Sequence, residues 1–272
     1  MSSPLTMPTV FIPHGGGPWP FVDLGGQFGD NEMQALRQFL RHYPATLPQR
    51  PKALLVISAH WEAPVITLAT APHPPMLYDY YNFPPASYHI QWPAPGAPQL
   101  APRVAELLHQ AGFATDSDDQ RGYDHGTFVP LKVMFPEADI PVLQMSMLGS
   151  LNPAHHIQIG KALQPLRDEG VLIIGSGMSF HNLRQLCTPT SQQLSRPFDE
   201  WLQEIALQAP TERERKLADW VSAPNARLVH PREEHLLPMM VIAGAAGQDP
   251  GHIVYNGCFG GAWISAIEYS RA

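Results

Sequence analysis

The sequence predicts an α/β fold, a single domain over residues 1–272 with a central mostly parallel or mixed sheet flanked by helices. Three observations predict it. Short aliphatic runs bounded by turn residues recur along the chain, helical patterns separate them, and histidines stand directly after at least two of the runs. Open α/β sheets gather ligands at the C-terminal ends of their strands, so a site is expected at that edge.

The strands are residues 9–12, 53–58, 65–69, 141–146 and 171–174, each short and β-branched or aliphatic, as buried strands are. Helical patterns cover 32–42, 98–111, 153–169 and 196–208. The third opens at Asn152-Pro153 and closes at Gly170, the usual asymmetry of proline at a helix start and glycine past its end. The charged stretch 211–219, TERERKLAD, reads as a solvated helix. Residues 71–98 have no clean period, but they are rich in proline and hold Tyr78, Tyr80, Tyr81, Phe83, Tyr88 and Trp92. A long ordered loop of this kind is usually functional, and it is expected to wall or cover the site.

Composition narrows the partners. A chain of 272 residues with 44% hydrophobic and 15% charged residues has material for a substantial core. Its net charge of -7, with basic residues scattered, offers no footprint for a phosphate backbone, so nucleic acid is not an expected partner. Only Cys187 and Cys258 are present, which suits a reducing compartment better than a disulfide framework. The first twenty residues lack a basic segment followed by an apolar stretch, and no window approaches about 18 uninterrupted apolar residues. The expectation is a soluble, cytoplasmic protein without membrane contact, monomer or homodimer.

Thirteen histidines are the other compositional signal, and their placement matters more than their number. His14 follows the first strand and His60 the second, while the strand 171–174 runs through Gly-Ser-Gly-Met-Ser-Phe into His181. For any lone histidine a hydrogen-bonded structural role is the competing explanation. Imidazoles from distant segments meeting at one sheet edge are instead how a first-row transition metal is commonly held. A further candidate is His235 in His230-Pro-Arg-Glu-Glu-His-Leu-Leu-Pro238, where Pro231 followed by two acids reads as a helix start. Glu234 competes with His235, because two histidines and a carboxylate also form an iron site. His125, in a glycine-flanked turn of Gly-Tyr-Asp-His-Gly, has Asp124 beside it as a group to orient or charge its ring. His42, His73, His89, His109, His155, His156 and His252 have no such context.

These segments carry a family resemblance. FIPHGGGPWP, VISAHWE, YDYYNFPP, YDHGTFVPLKVMFPEADIPVLQMSM, IIGSGMSFHNLR and PREEHLLP resemble, in order and over nearly the whole chain, the class III extradiol ring-cleaving dioxygenases. Within the protocatechuate 4,5-dioxygenase superfamily they are most similar to the DOPA 4,5-dioxygenase-like subgroup. The resemblance implies that His14, His60 and His235 bind the metal, that His181 is the acid/base, and that His125 faces oxygen and substrate. It implies Fe(II) for activity, with Zn(II) as an alternative occupant in purified protein. The substrates implied are a small aromatic diol and O2, and the product a muconic semialdehyde. Tyr78 and Tyr81 are expected against the substrate ring, and Arg184 against a substrate carboxylate. The His-Gly-Gly-Gly-Pro motif departs from the His-Gly-Ser-Pro of better-known members, which bears on the substrate more than on the chemistry. Two other readings use the same histidines: a zinc-dependent hydrolase and a Memo-like binding protein without catalysis.

Overall fold

Strand formation is strongest where the sequence has unbroken aliphatic runs. Leu54, Leu55, Val56 and Ile57 have no exposed surface, and neither do Leu172, Ile173 and Ile174, so both runs are covered on both faces, as parallel strands between helices must be. The computed structural model describes residues 5–26 and 28–271. Among these, the strands are Thr9–Pro13 (β1), Ala53–Ala63 (β2), Ile66–Ala69 (β3), Thr115–Asp118 (β4), Val142–Leu148 (β5), Val171–Gly177 (β6), Gly251–Phe259 (β7) and Ala262–Tyr269 (β8). They form one sheet in the order β4-β3-β5-β2-β6-β1-β8-β7. Strands β5, β2, β6 and β1 are mutually parallel, whereas β3 against β5, β8 against β1, and β7 against β8 are antiparallel. The expected α/β class and mixed sheet are therefore present, and all five expected strands are found.

The helices depart from the sequence expectation in instructive ways. The pattern over 98–111 resolves into a 3-10 turn, Pro98–Leu100, and the helix Ala101–Gln110 (α2), and that over 153–169 into Pro153–Leu163 (α4) and a 3-10 segment, Gln164–Arg167. Proline at 165 breaks the ladder in the second case, since it supplies no N–H. Asp30–His42 (α1), Ser191–Ala206 (α5) and Pro210–Ala218 (α6) lie where helical patterns are legible. One charge of α6 is not solvated, however. Arg213 has no exposed surface and lies over the Tyr269 ring at 4.3 Å. His125–Met134 (α3) and Ala226–Val229 (α7) went unread, as did β4, β7 and β8, and the helix expected from Pro231 is found as Leu237–Ala245 (α8), six residues later.

Helix α8 is apolar on every side, and all nine of its residues are buried, so it shows no amphipathic period. It packs on α4 and on β6. Its C-terminal carbonyls would be orphaned in this dry setting. Arg167 answers them: its Nη1 donates to the carbonyls of Ala245 (3.1 Å) and Ala246 (3.0 Å), its Nε to that of Met7 (2.7 Å), and its Nη2 to Asp249. No helix of the described residues is long and apolar enough to cross a membrane.

Removing one member of so buried a charge cluster leaves the rest uncompensated. Arg167→Ala is expected to lower the unfolding free energy by about 3 kcal/mol or more, read as a fall in urea midpoint. An unchanged midpoint would show that the cluster does not secure α8.

Candidate metal centre and active site

His14 is the first residue past β1, and its N–H donates to the Gly177 carbonyl at 3.1 Å, extending the β1–β6 ladder by one step. His60 lies within β2, where regularity fails. Pairing with β6 ends at Ser58 opposite Ser176, and the register against β5 slips between Ile57 and Glu62. Such an irregularity re-aims a side chain that strict alternation would send elsewhere.

His235 is placed by a different device from the one the sequence suggests. Pro231 does not open a helix: residues 231–236 form bends and turns, and α8 begins at Leu237 with Pro238 in its first turn. What fixes His235 is its carbonyl, which accepts the N–H of Met178 at 3.0 Å, just beyond β6. A Cβ at Gly177 would stand 2.2 Å from that oxygen, so glycine is required for this segment to lie against the strand end.

The three imidazoles converge. Ring centroids of His14, His60 and His235 are 4.8 to 5.2 Å apart, and one nitrogen from each lies within 4.8 Å of the others. Two of the opposite nitrogens have acceptors, and the third has a carboxylate nearby. His14 Nδ1 donates to the Gly15 carbonyl at 2.9 Å, His235 Nδ1 donates to Glu234 Oε1 at 2.9 Å, and His60 Nδ1 is 3.6 Å from Asp79 Oδ2. Carbonyls and carboxylates only accept, so for His14 and His235 the proton sits on Nδ1 and the Nε2 lone pair faces inward, whereas the 3.6 Å separation from Asp79 is too long for a hydrogen bond and does not fix the His60 tautomer. His14 Nε2 and His60 Nε2 are 3.2 Å apart, and His235 Nε2 is buried with no hydrogen-bond partner among the described residues. Burial, and then repulsion by neighbouring imidazoles, holds the pKa of all three well below the ordinary histidine value. Three neutral imidazoles converging with one nitrogen each, two of them in fixed tautomers, fit a divalent first-row metal.

Around this triad sit two more imidazoles. His125 is not in a turn but heads α3, whose N-cap is Asp124. Asp124 does not serve the His125 ring. Its Oδ1 accepts from Ser58 Oγ (2.6 Å) and Thr127 N–H (3.1 Å), and its Oδ2 accepts from Arg121 (3.1 Å) and Gln144. The group that orients His125 is Asp79, which accepts from both its Nδ1 (2.7 Å) and its N–H (2.9 Å). Burial works to raise the Asp79 pKa, but these bonds from His125 bring it below the usual carboxylate value. Sequence reasoning missed Asp79. The signal was present, since it is the only acid in residues 71–98.

His181 stacks on His235, centroids 3.2 Å apart and planes 15° from parallel, and its Nδ1 is 3.3 Å from Glu234 Oε1. Glu234 thus meets the outward nitrogens of two rings. Burial alone would raise its pKa, but the hydrogen bond to His181, with further local bonds and charges, lowers it.

All five histidines open onto one cavity of about 420 Å3, closed elsewhere by aromatic and aliphatic side chains that include Phe28, Phe83 and Phe259. Of the loop 71–98, Asp79, Tyr80, Tyr81 and Phe83 face it. Tyr78 does not line it among the described residues: its hydroxyl donates to the Ile90 carbonyl at 2.8 Å and its ring packs on Phe128. Arg184 is exposed and also outside the lining, because the chain carries it past the mouth. His230 is buried, with Nε2 donating to the Ser179 carbonyl at 3.0 Å, and belongs to the packing.

Residues 8–262 match the family described as the catalytic LigB subunit of aromatic ring-opening dioxygenase. A relative from Beta vulgaris, 4,5-DOPA dioxygenase extradiol, is 38% identical over 93% of this chain and 92% of its own. The dioxygenase tasH of Hapsidospora irregularis is 37% identical over 89% of this chain and 79% of its own. A crystal structure of an uncharacterized protein from Escherichia coli K12 superposes with a TM-score of 0.77 at 30% identity, covering 97% of this chain and all of that one.

Metal binding competes with protons only as far as the imidazoles are basic. Three histidines of ordinary pKa would lose roughly fifty-fold in affinity between pH 7.5 and 6.0. With all three pKa values lowered, the rings stay neutral as pH falls through about 6.5, and affinity is expected to fall by no more than a few-fold. Calorimetric titration of the apoprotein with Zn(II) at both pH values measures it. A fifty-fold loss would mean that the rings are not held neutral.

Proposed function

The chain belongs to the LigB family and is an extradiol aromatic ring-cleaving dioxygenase, and on that premise we propose that it uses iron(II) to open a catechol with O2 to a muconic semialdehyde. The substrate is DOPA-like in presenting adjacent ring hydroxyls with a side chain further round the ring, as the names of the relatives suggest. The reading rests chiefly on one observation: three imidazoles, two buried and one half-buried, with one nitrogen of each turned on one point. His14, His60 and His235 hold the metal, and the catalytic domain spans residues 1–272. Cytoplasmic placement belongs to the same proposal and rests on the low cysteine content. Family membership sets aside the zinc-hydrolase and Memo-like readings.

Iron(II), when bound, supplies a redox-active centre that lifts the spin barrier between dioxygen and the catechol, which zinc does not. The remaining tasks fall to side chains. With Nδ1 directed at Glu234, His181 has Nε2 available to take a phenolic proton and return it later in the cycle. His125 has its Nδ1–H committed to Asp79, so its Nε2 meets the cavity and donates a hydrogen bond when the ring carries both protons. The stack on His235 fixes the plane of His181, and the apolar wall keeps bulk water from the reacting ring. Glu234 engages the outward nitrogens through Oε1, which favours His235 over Glu234 as third ligand.

Protein loaded anaerobically with Fe(II) is expected to consume oxygen with catechols and to give a yellow product, whereas Zn(II)-loaded protein does neither. Activity with zinc but not iron would overturn the reading. His14→Ala, His60→Ala and His235→Ala should each lose most of the bound metal. His181→Ala should keep it and lose turnover by about 100-fold or more. Metal retained in His235→Ala but lost in Glu234→Ala would reassign the third ligand.

A further inference from the structure

The five histidines account for part of the cavity lining, and the rest of the lining says what the ring brings with it. Gly16 and Gly17 let two phenyl rings press against the loop after β1. A Cβ at Gly16 would stand 2.9 Å from the Phe28 ring and one at Gly17 2.7 Å from the Phe83 ring. Phe28 stacks on Phe259 at 4.8 Å and 20°, and Phe83 meets Tyr80 edge-on at 5.4 Å. The two most exposed large hydrophobic residues described, Tyr81 at 79% and Leu183 at 71%, both stand at this cavity. Exposed apolar side chains scattered singly need no explanation, but two facing one opening mark a surface for an apolar ligand.

Polar groups in the same wall are committed inward. The Tyr80 hydroxyl donates to the Ser87 carbonyl at 2.6 Å, and the Asn182 amide donates to the Leu228 carbonyl at 2.8 Å. No lysine or arginine is among the described lining residues, and Asp79 contributes a negative charge. A carboxylate drawn into this wall would lose water without gaining a cation.

Resting on the ring-cleavage reading, we propose that the preferred substrate is a catechol whose ring substituent is apolar, alkyl or aryl, rather than carboxylated. Phe28, Phe83 and Phe259 receive the substituent, and Tyr81 and Leu183 close over it. These are specificity-determining residues, and the metal and proton chemistry are left to the histidines.

The test compares 4-butylcatechol with 3-(3,4-dihydroxyphenyl)propionate and DOPA on the iron-loaded protein. Oxygen uptake gives kcat/KM, and anaerobic calorimetry gives Kd for the same three compounds. Butylcatechol is expected to lead the two carboxylated compounds by about tenfold or more in both measurements. Phe83→Ala should raise KM for butylcatechol more than for unsubstituted catechol, and Leu183→Arg should shrink or reverse the preference. Equal or better handling of the carboxylated compounds by the unaltered protein overturns the proposal. Failure of the ring-cleavage reading looks different: no oxygen uptake with any catechol. Calorimetry then still decides, since tighter binding of butylcatechol supports the apolar wall and equal binding overturns it.

Discussion

Three imidazole nitrogens turned on one point crowd one another, and beyond the three rings no described group donates to them. Left to relax, the rings would flip, protonate or move apart. They are held because the outer nitrogens of His14 and His235 have acceptors that dictate the tautomer, a backbone carbonyl and a carboxylate, while the Asp79 carboxylate lies 3.6 Å from the outer nitrogen of His60. The two carboxylates share a logic. Asp79 serves His60 together with His125, and Glu234 serves His235 together with His181. Each joins one proposed ligand to one imidazole proposed to handle protons or oxygen. The attraction of a cation is thereby built into the apoprotein, at the cost of local repulsion that the rest of the fold must contain.

Containment is the work of the sheet and of α8. Parallel strands β1, β2 and β6 end side by side, so His14 and His60 arrive from positions far apart in the chain at one edge. The segment before α8 is pressed onto the end of β6 by a backbone hydrogen bond and by the bare surface of Gly177. At its far end the same helix is secured by Arg167. The stability of this deeply buried charge cluster and the placement of His235 are thus two ends of one rigid element.

What was legible in the sequence follows from what leaves a local trace. His14 and His60 stand directly after aliphatic runs, which is a local signal, although β2 continues past His60 to Ala63. Asn152-Pro153 announces α4 because capping is likewise local, and Asn152 does accept the His155 N–H. By contrast, α8 is buried all round and has no period to read, and the Gly251–Phe259 strand slips register between Ile253 and Tyr255 and is only partly buried. Pro231 was misread because a proline followed by acids resembles a helix start, whereas the contact that fixes His235 comes from Met178, far away in sequence. Asp124 was taken for the partner of His125 because it is adjacent, yet its carboxylate is consumed in capping α3 and bonding to β2 and β5. The true partner, Asp79, lies 46 residues away, a distance over which sequence pattern carries no pairing information.

Asp79 stands one residue from Tyr80 and two from Tyr81, on the loop whose aromatic side chains wall the cavity. Selectivity and preorganisation therefore share a single stretch of backbone. A surface loop is ordinarily the segment that drifts most freely between relatives and is easiest to transplant. Here drift is restrained, because a change of loop length or path that refits the wall to a new ring also displaces the carboxylate that holds His125. Divergence toward other aromatic compounds would proceed by exchanging side chains on an unchanged loop, and a transplanted loop would have to bring its own acid to the same place.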